Sequence, residues 1–165
     1  METPQLSSLY QQLILEHYRN PRNKGELEEK TVEIHMANPV CGDEIRLQLR
    51  IEGDQIEDVK FLGSGCSISQ ASVSMMTVRL KGSGLDQADE LAKRFTDMMH
   101  GDESAVREKS LGDLRALQGV SKFPVRIKCA LLGFDALQEA LKKEARAVEG
   151  GPVTAALPWM VACAS

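Results

Sequence analysis

TVEIHMANPVCGDEIRLQLRIEGDQIEDVKF, residues 31–61 of a 165-residue chain, decides the fold class. In residues 31–36, Val32, Ile34 and Met36 alternate with polar neighbours. Ile45, Leu47, Leu49 and Ile51 repeat the pattern. Because successive strand side chains point to opposite faces, each run places its apolar residues on one side of a sheet. Glu52-Gly53-Asp54-Gln55 has turn composition, and residues 56–61 read as a third strand. Sequential strands with short links predict an antiparallel meander with one buried face.

On either side the period lengthens. Ile68, Ala71, Met75 and Val78 recur at helical spacing, and Ser67 followed by Gln70 suggests a capping box at the start. A further helix is predicted over 86–99. A final helix opens near Cys129, after residues 123–128, with Ala130, Phe134, Leu137 and Leu141 on one stripe. Residues 101–118 are polar, contain Gly112 and read as a surface excursion. Upstream, residues 6–18 form an amphipathic helix whose inner face is either Leu9-Leu13-His17 or Tyr10-Ile14-Tyr18. Pro21, Asn23 and Gly25 end it. The expected architecture is α+β: a small three-stranded antiparallel sheet with helices packed on one face. One domain, residues 1–148, carries this pattern, and an apolar tail, 149–165, holds Trp159 and Cys163.

Only 4% of residues are aromatic, so the core must rest on Leu, Ile, Val and Met, with Met75 and Met76 as filling. The net charge of −4 and the scatter of Lys and Arg exclude the basic face that nucleic acid requires. The first residues lack the pattern of a secretory signal, and no run approaches the roughly 20 apolar residues of a membrane span. A cytoplasmic protein is expected. In that reducing setting four cysteines read as thiols, metal ligands or catalysts rather than disulfides.

Three of those cysteines fall at element junctions. Cys41 and Asp43 lie in Asn38-Pro39-Val40-Cys41-Gly42-Asp43, between the first two strands, where an i, i+2 pair can point the same way. The same six residues also suit a plain turn. Cys66, in Gly63-Ser64-Gly65-Cys66-Ser67, precedes a helix whose positive end favours a thiolate. The alternative is a small buried residue. Cys129 follows Arg126-Ile127-Lys128, two cations beside an expected helix start. Three thiolates and a carboxylate suit a four-coordinate Zn²⁺ or an iron–sulfur cluster with one harder ligand, although the spacing matches no zinc-finger or ferredoxin signature. Cys163 has no charged company. His17, His35 and His100 read as surface or capping residues.

These motifs resemble the NifU N-terminal/IscU superfamily of iron–sulfur cluster assembly proteins. The likeness runs from Tyr10…Ile14…His17-Tyr18…Asn20-Pro21-Arg22-Asn23…Gly25 through the Cys41 and Cys66 motifs to Lys122-Phe123-Pro124-Val125-Arg126-Ile127-Lys128-Cys129. The excursion at 101–118, and Lys128 where IscU-like scaffolds carry a histidine, resemble the SufU type. Lys122-Phe123-Pro124-Val125-Arg126 also replaces the chaperone-binding Leu-Pro-Pro-Val-Lys. The resemblance implies Zn²⁺ on Cys41, Asp43, Cys66 and Cys129. It implies a SufS-type, PLP-dependent cysteine desulfurase that hands persulfide sulfur to Cys41, and a downstream iron–sulfur assembly complex. Arg126 could support the released Cys41 thiolate or pair with Asp43, and a donor from the docked desulfurase, most simply a histidine, would replace Cys41 on the metal. The protein would thus act as a zinc-dependent sulfurtransferase partner. The alternatives are a scaffold that binds iron and builds a transient [2Fe–2S] cluster, and a structural zinc domain that recruits other proteins.

Overall fold

The structure, a computed structural model, describes residues 2–40 and 42–150, with side chains given from 8 to 145 except at Cys41. Strands β1 (Val32–Asn38), β2 (Asp43–Glu52) and β3 (Gln55–Ser64) form one antiparallel sheet in the order β1-β2-β3. Ile34 pairs with Leu47 and Met36 with Ile45, while Leu47 and Leu49 pair with Phe61 and Val59. This register gathers the alternating apolar residues on one face, and Ile45, Leu47, Leu49, Val59 and Phe61 are fully buried there. The other face is polar. Its buried Gln48 accepts the Leu27 N–H at 2.6 Å and donates to the Glu26 and Glu33 carboxylates, which seats the segment after the first helix.

Around the apolar face stand α1 (Glu2–Arg19), α2 (Ser67–Leu80), α3 (Leu85–Met99), the short α4 (Glu103–Val106), a 3-10 segment (Lys109–Lys122) and α5 (Pro124–Gly150). Helix α5 packs on β1 and β2, and α2 sits between α1, α5, β3 and the 3-10 segment. Enclosed in this way, α2 buries every residue from Ser69 to Thr77, polar and apolar alike. Met75 and Met76 are core, as expected. Phe95 of α3 stacks on Phe134 of α5 with ring centroids 4.3 Å apart. The α+β architecture with helices on one face is therefore the observed one. Among the described residues no helix is long and apolar enough to cross a membrane.

Five expectations are corrected. The excursion is not a surface loop, because Leu111, Leu114, Ala116, Leu117 and Val120 of the 3-10 segment are buried against α1, α2, α3 and α5. Irregular spacing, broken by Gly112 at φ 54°, hides that apolar set from a 3.6-residue period. The last helix begins at Pro124 rather than near Cys129, since proline suits a first helical position. Helix α2 is capped by Cys66, whose sulfur accepts the Ser69 N–H at 3.5 Å, and not by the expected box of Ser67 and Gln70. The inner face of α1 is neither candidate stripe but Ile14 and His17, with Tyr10 and Leu13 beside them; Leu9 and Tyr18 are exposed. His17 is thus buried, not a surface residue. The tail with Trp159 and Cys163 lies outside the described residues.

Candidate metal centre

Asn38 shapes the hairpin between β1 and β2. Its side-chain Oδ1 accepts the Val40 N–H at 3.2 Å, and its carbonyl accepts the Gly42 N–H at 2.8 Å. Gly42 adopts φ 75°, a conformation few other residues take without strain. Asn38 and Asp43 close the hairpin as a pair, so Asp43 enters the fold as the first residue of β2, 1% exposed. Cys41, between Val40 and Gly42 in the chain, lies outside the described residues.

Cys66 reaches the same place from β3. Asp43 Oδ1 accepts the Cys66 N–H at 2.8 Å, while Oδ2 lies 3.7 Å from the Cys66 sulfur. Gly65 makes this approach feasible. It sits at φ 149°, and a Cβ there would overlap Asp43 Oδ1. The Ser69 N–H, one of the unpaired donors at the start of α2, points at the sulfur. Ser69 Oγ in turn donates to the Cys66 carbonyl at 3.2 Å and accepts from Gln70 Nε2 at 3.1 Å.

Cys129 arrives on the second turn of α5, fully buried, with its sulfur 3.8 Å from the Val125 carbonyl. Helix α5 places it by packing against α2, where Gly133 lies close to Val73 and Ser72 Oγ donates to the Ala130 carbonyl at 2.7 Å. Ligand atoms of Asp43, Cys66 and Cys129 all lie within 4.8 Å of one another. Donors around a tetrahedral ion with metal–sulfur and metal–oxygen bonds of about 2.3 and 2.0–2.2 Å stand roughly 3.5–3.8 Å apart. The trio fits such an ion with small side-chain adjustment. The donor chemistry points the same way, since two cysteine sulfurs and one carboxylate are the ligand types Zn²⁺ takes.

Arg126 lines a cavity of about 910 Å³ beside the centre, with Ser67 and Ile68 of α2, Leu15 of α1 and Phe123. Among the described residues no ion pair joins it to Asp43. The other two expected surface histidines behave as read: His35 pairs with Glu44 at 2.8 Å, and His100 caps α3 and bonds the Thr96 carbonyl. Sequence reasoning missed Ser69 as a holder of Cys66. The signal was present in its place three residues after the cysteine, an N-cap spacing.

Comparison with known proteins agrees with this geometry. The NifU-like N terminal domain matches residues 9–130. The zinc-dependent sulfurtransferase SufU of Bacillus subtilis (strain 168) is 53% identical over 146 residues, 88% of this chain and 95% of its own. The iron–sulfur cluster assembly scaffold protein IscU of Streptococcus pyogenes serotype M1 is 41% identical over 147 residues, 89% and 91% of the two chains. The crystal structure of FiSufU from Fervidobacterium islandicum AW-1 superposes with a TM-score of 0.73 at 34% identity, covering 78% of this chain and 93% of that one. With the fold, the motif order and the matched length in accord, this chain belongs to the NifU-like N-terminal domain family.

Proposed function

We propose that this chain is a zinc-bound sulfur carrier of iron–sulfur cluster biogenesis. Asp43, Cys66, Cys129 and Cys41 hold Zn²⁺, and Cys41 accepts persulfide sulfur from a SufS-type, PLP-dependent cysteine desulfurase. A downstream iron–sulfur assembly complex then receives the sulfur. The observation that carries this reading is the Asp43–Cys66–Cys129 cluster of candidate ligands, and Asp43 follows Cys41 by two residues in the chain. The likeness to a protein named zinc-dependent sulfurtransferase supports zinc and sulfur transfer together. Zinc, when bound, keeps the thiols deprotonated and adds binding energy to folding.

The chain's own residues divide the work. Asp43 is fixed by the Cys66 N–H, Cys66 by the Ser69 N–H, and Cys129 by its helix. In the chain Cys41 lies between Val40, which is 78% exposed, and the left-handed Gly42, which supports assigning it the contact with a partner. In the transfer the Cys41 thiolate attacks the outer sulfur of the desulfurase persulfide. A sulfur–sulfur bond forms at Cys41 as the one on the desulfurase breaks, and the desulfurase cysteine leaves as a thiolate. The exchange is redox-neutral. Arg126, exposed at the cavity beside the centre, supplies positive charge to the Cys41 thiolate.

Cys41→Ser tests the assignment, with metal content and desulfurase turnover measured on one preparation. Partial zinc retention with stimulation abolished is the expected result; full stimulation would remove Cys41 as the acceptor. A scaffold that assembles a [2Fe–2S] cluster is the second reading, supported by the 41% identity to an IscU protein. Visible absorbance separates the two, since a cluster is coloured and zinc is not.

A further inference from the structure

Among the described residues one buried side-chain nitrogen or oxygen has no hydrogen-bond partner, and it is Oε1 of Gln70. Gln70 is 5% exposed and stands on α2, one turn after Cys66. Its amide offers two donors and two acceptor lone pairs, yet it makes a single bond, from Nε2 to Ser69 Oγ at 3.1 Å. A buried acceptor left without a donor costs stability, and a methionine of similar length would fill the space without that cost. An amide retained there, beside a set of candidate metal ligands, is a mark of function rather than of packing.

The single bond shows where the amide acts. Ser69, 1% exposed, grips Cys66 at two points: its N–H meets the sulfur at 3.5 Å, and its hydroxyl donates to the carbonyl at 3.2 Å. A hydroxyl has one proton to place. Because Nε2 of Gln70 donates to Ser69 Oγ, that proton is turned away from the amide and on to the Cys66 carbonyl. The backbone N–H of Gln70 bonds the same carbonyl at 3.1 Å. Two successive residues thus brace Cys66 from behind, while Asp43 holds its N–H in front at 2.8 Å. Of these contacts, the hydroxyl's is the one that a second side chain directs.

We propose, resting on the reading of Asp43, Cys66 and Cys129 as zinc ligands, that Gln70 is a positioning residue of the metal centre. It directs the Ser69 hydroxyl, and through that hydroxyl it sets where Cys66 presents its sulfur. A metal site tolerates only about 0.2 Å of departure from ordinary bond lengths, so a ligand braced from behind binds better than one free to shift. Removing a group that braces a ligand from outside the coordination sphere typically weakens metal binding about 10- to 100-fold. Gln70 acts only through Ser69. Its loss should therefore weaken zinc binding and leave the packing of α2 intact.

Zn²⁺ affinity of the full chain, measured by competition with a chelating dye, tests this, with circular dichroism at saturating zinc as the check of folding. Gln70→Met should keep the wild-type circular dichroism and lose about tenfold in zinc affinity. Ser69→Ala should lose a similar factor. Adding Gln70→Met to Ser69→Ala should then change affinity by less than about twofold, because the amide has no hydroxyl left to direct. Loaded with Co²⁺ instead, Gln70→Met should show shifted thiolate-to-metal absorption, a signature that a change of stability alone does not move. A Gln70→Met chain that fails to fold, that keeps zinc affinity within about twofold of wild type, or whose Co²⁺ spectrum is unmoved would overturn the proposal, as would additive losses in the double variant. A wild type that binds no zinc removes the metal reading and this assignment with it. Unchanged variants of a zinc-binding wild type remove this assignment alone.

Discussion

Two polar clusters meet α2, one at its start and one two turns on, and they differ in chemistry. At the start of α2, Asp43, Cys66 and Cys129 bring three candidate ligand atoms within 4.8 Å of one another, a donor set that suits Zn²⁺. Two turns on, Ser74 joins His17, Arg22 and Asp113 with each donor matched to an acceptor. The first cluster offers ligands to a metal, and the second bonds its own members across elements. Thiol and carboxylate donors gathered at one point mark a ligand site, while groups that bond one another across elements mark a structural joint.

The contrast can be broken from either end. Gly65→Ala should have the largest effect, because its Cβ would overlap the Asp43 carboxylate and its φ of 149° is hostile to a side chain. We expect a loss of roughly 2–4 kcal/mol in denaturant unfolding together with most of the metal. Ser74→Ala strands the Arg22 N–H and the His17 ring, and should cost about 1–3 kcal/mol while metal content stays at the wild-type level. Loss of metal in that variant would show the two clusters to be one unit.

A smaller effect separates the clusters by pH. Burial lowers the His17 pKa from 6.5, so below that value the unfolded chain binds a proton that the folded chain resists. The contribution is complete above pH 6.5 and is lost as pH falls from there through the folded value. Stability should drop by up to about 1.4 kcal/mol per pH unit across that window, and His17→Gln should remove the slope. The smallest change is expected at Glu44→Ala. It deletes the partner of His35 in a pair whose side chains are 55% and 53% exposed, and thermal unfolding should move by less than about 0.5 kcal/mol.

Much of this was legible before folding. Strict alternation in β1 and β2 leaves only one register that buries Ile45, Leu47 and Leu49, and the structure adopts it. The three cysteine motifs stood out because each lies beside glycine or proline at a change of period. The 3-10 segment was misread because its buried leucines do not keep helical spacing. His17 was misread because a histidine's burial depends on which hydroxyl and carboxylate face it, and those lie 57 and 96 residues away.

By itself, then, the sequence determined the sheet, the helical face and the donor types, since those follow from the side-chain period and the chemistry of single residues. Only the tertiary structure decided that Asp43, Cys66 and Cys129 converge, that Gly65 makes room for the carboxylate, and that His17 closes a joint between three elements. Those are facts of distance between segments remote in the chain, and distance is set by packing rather than by any local pattern.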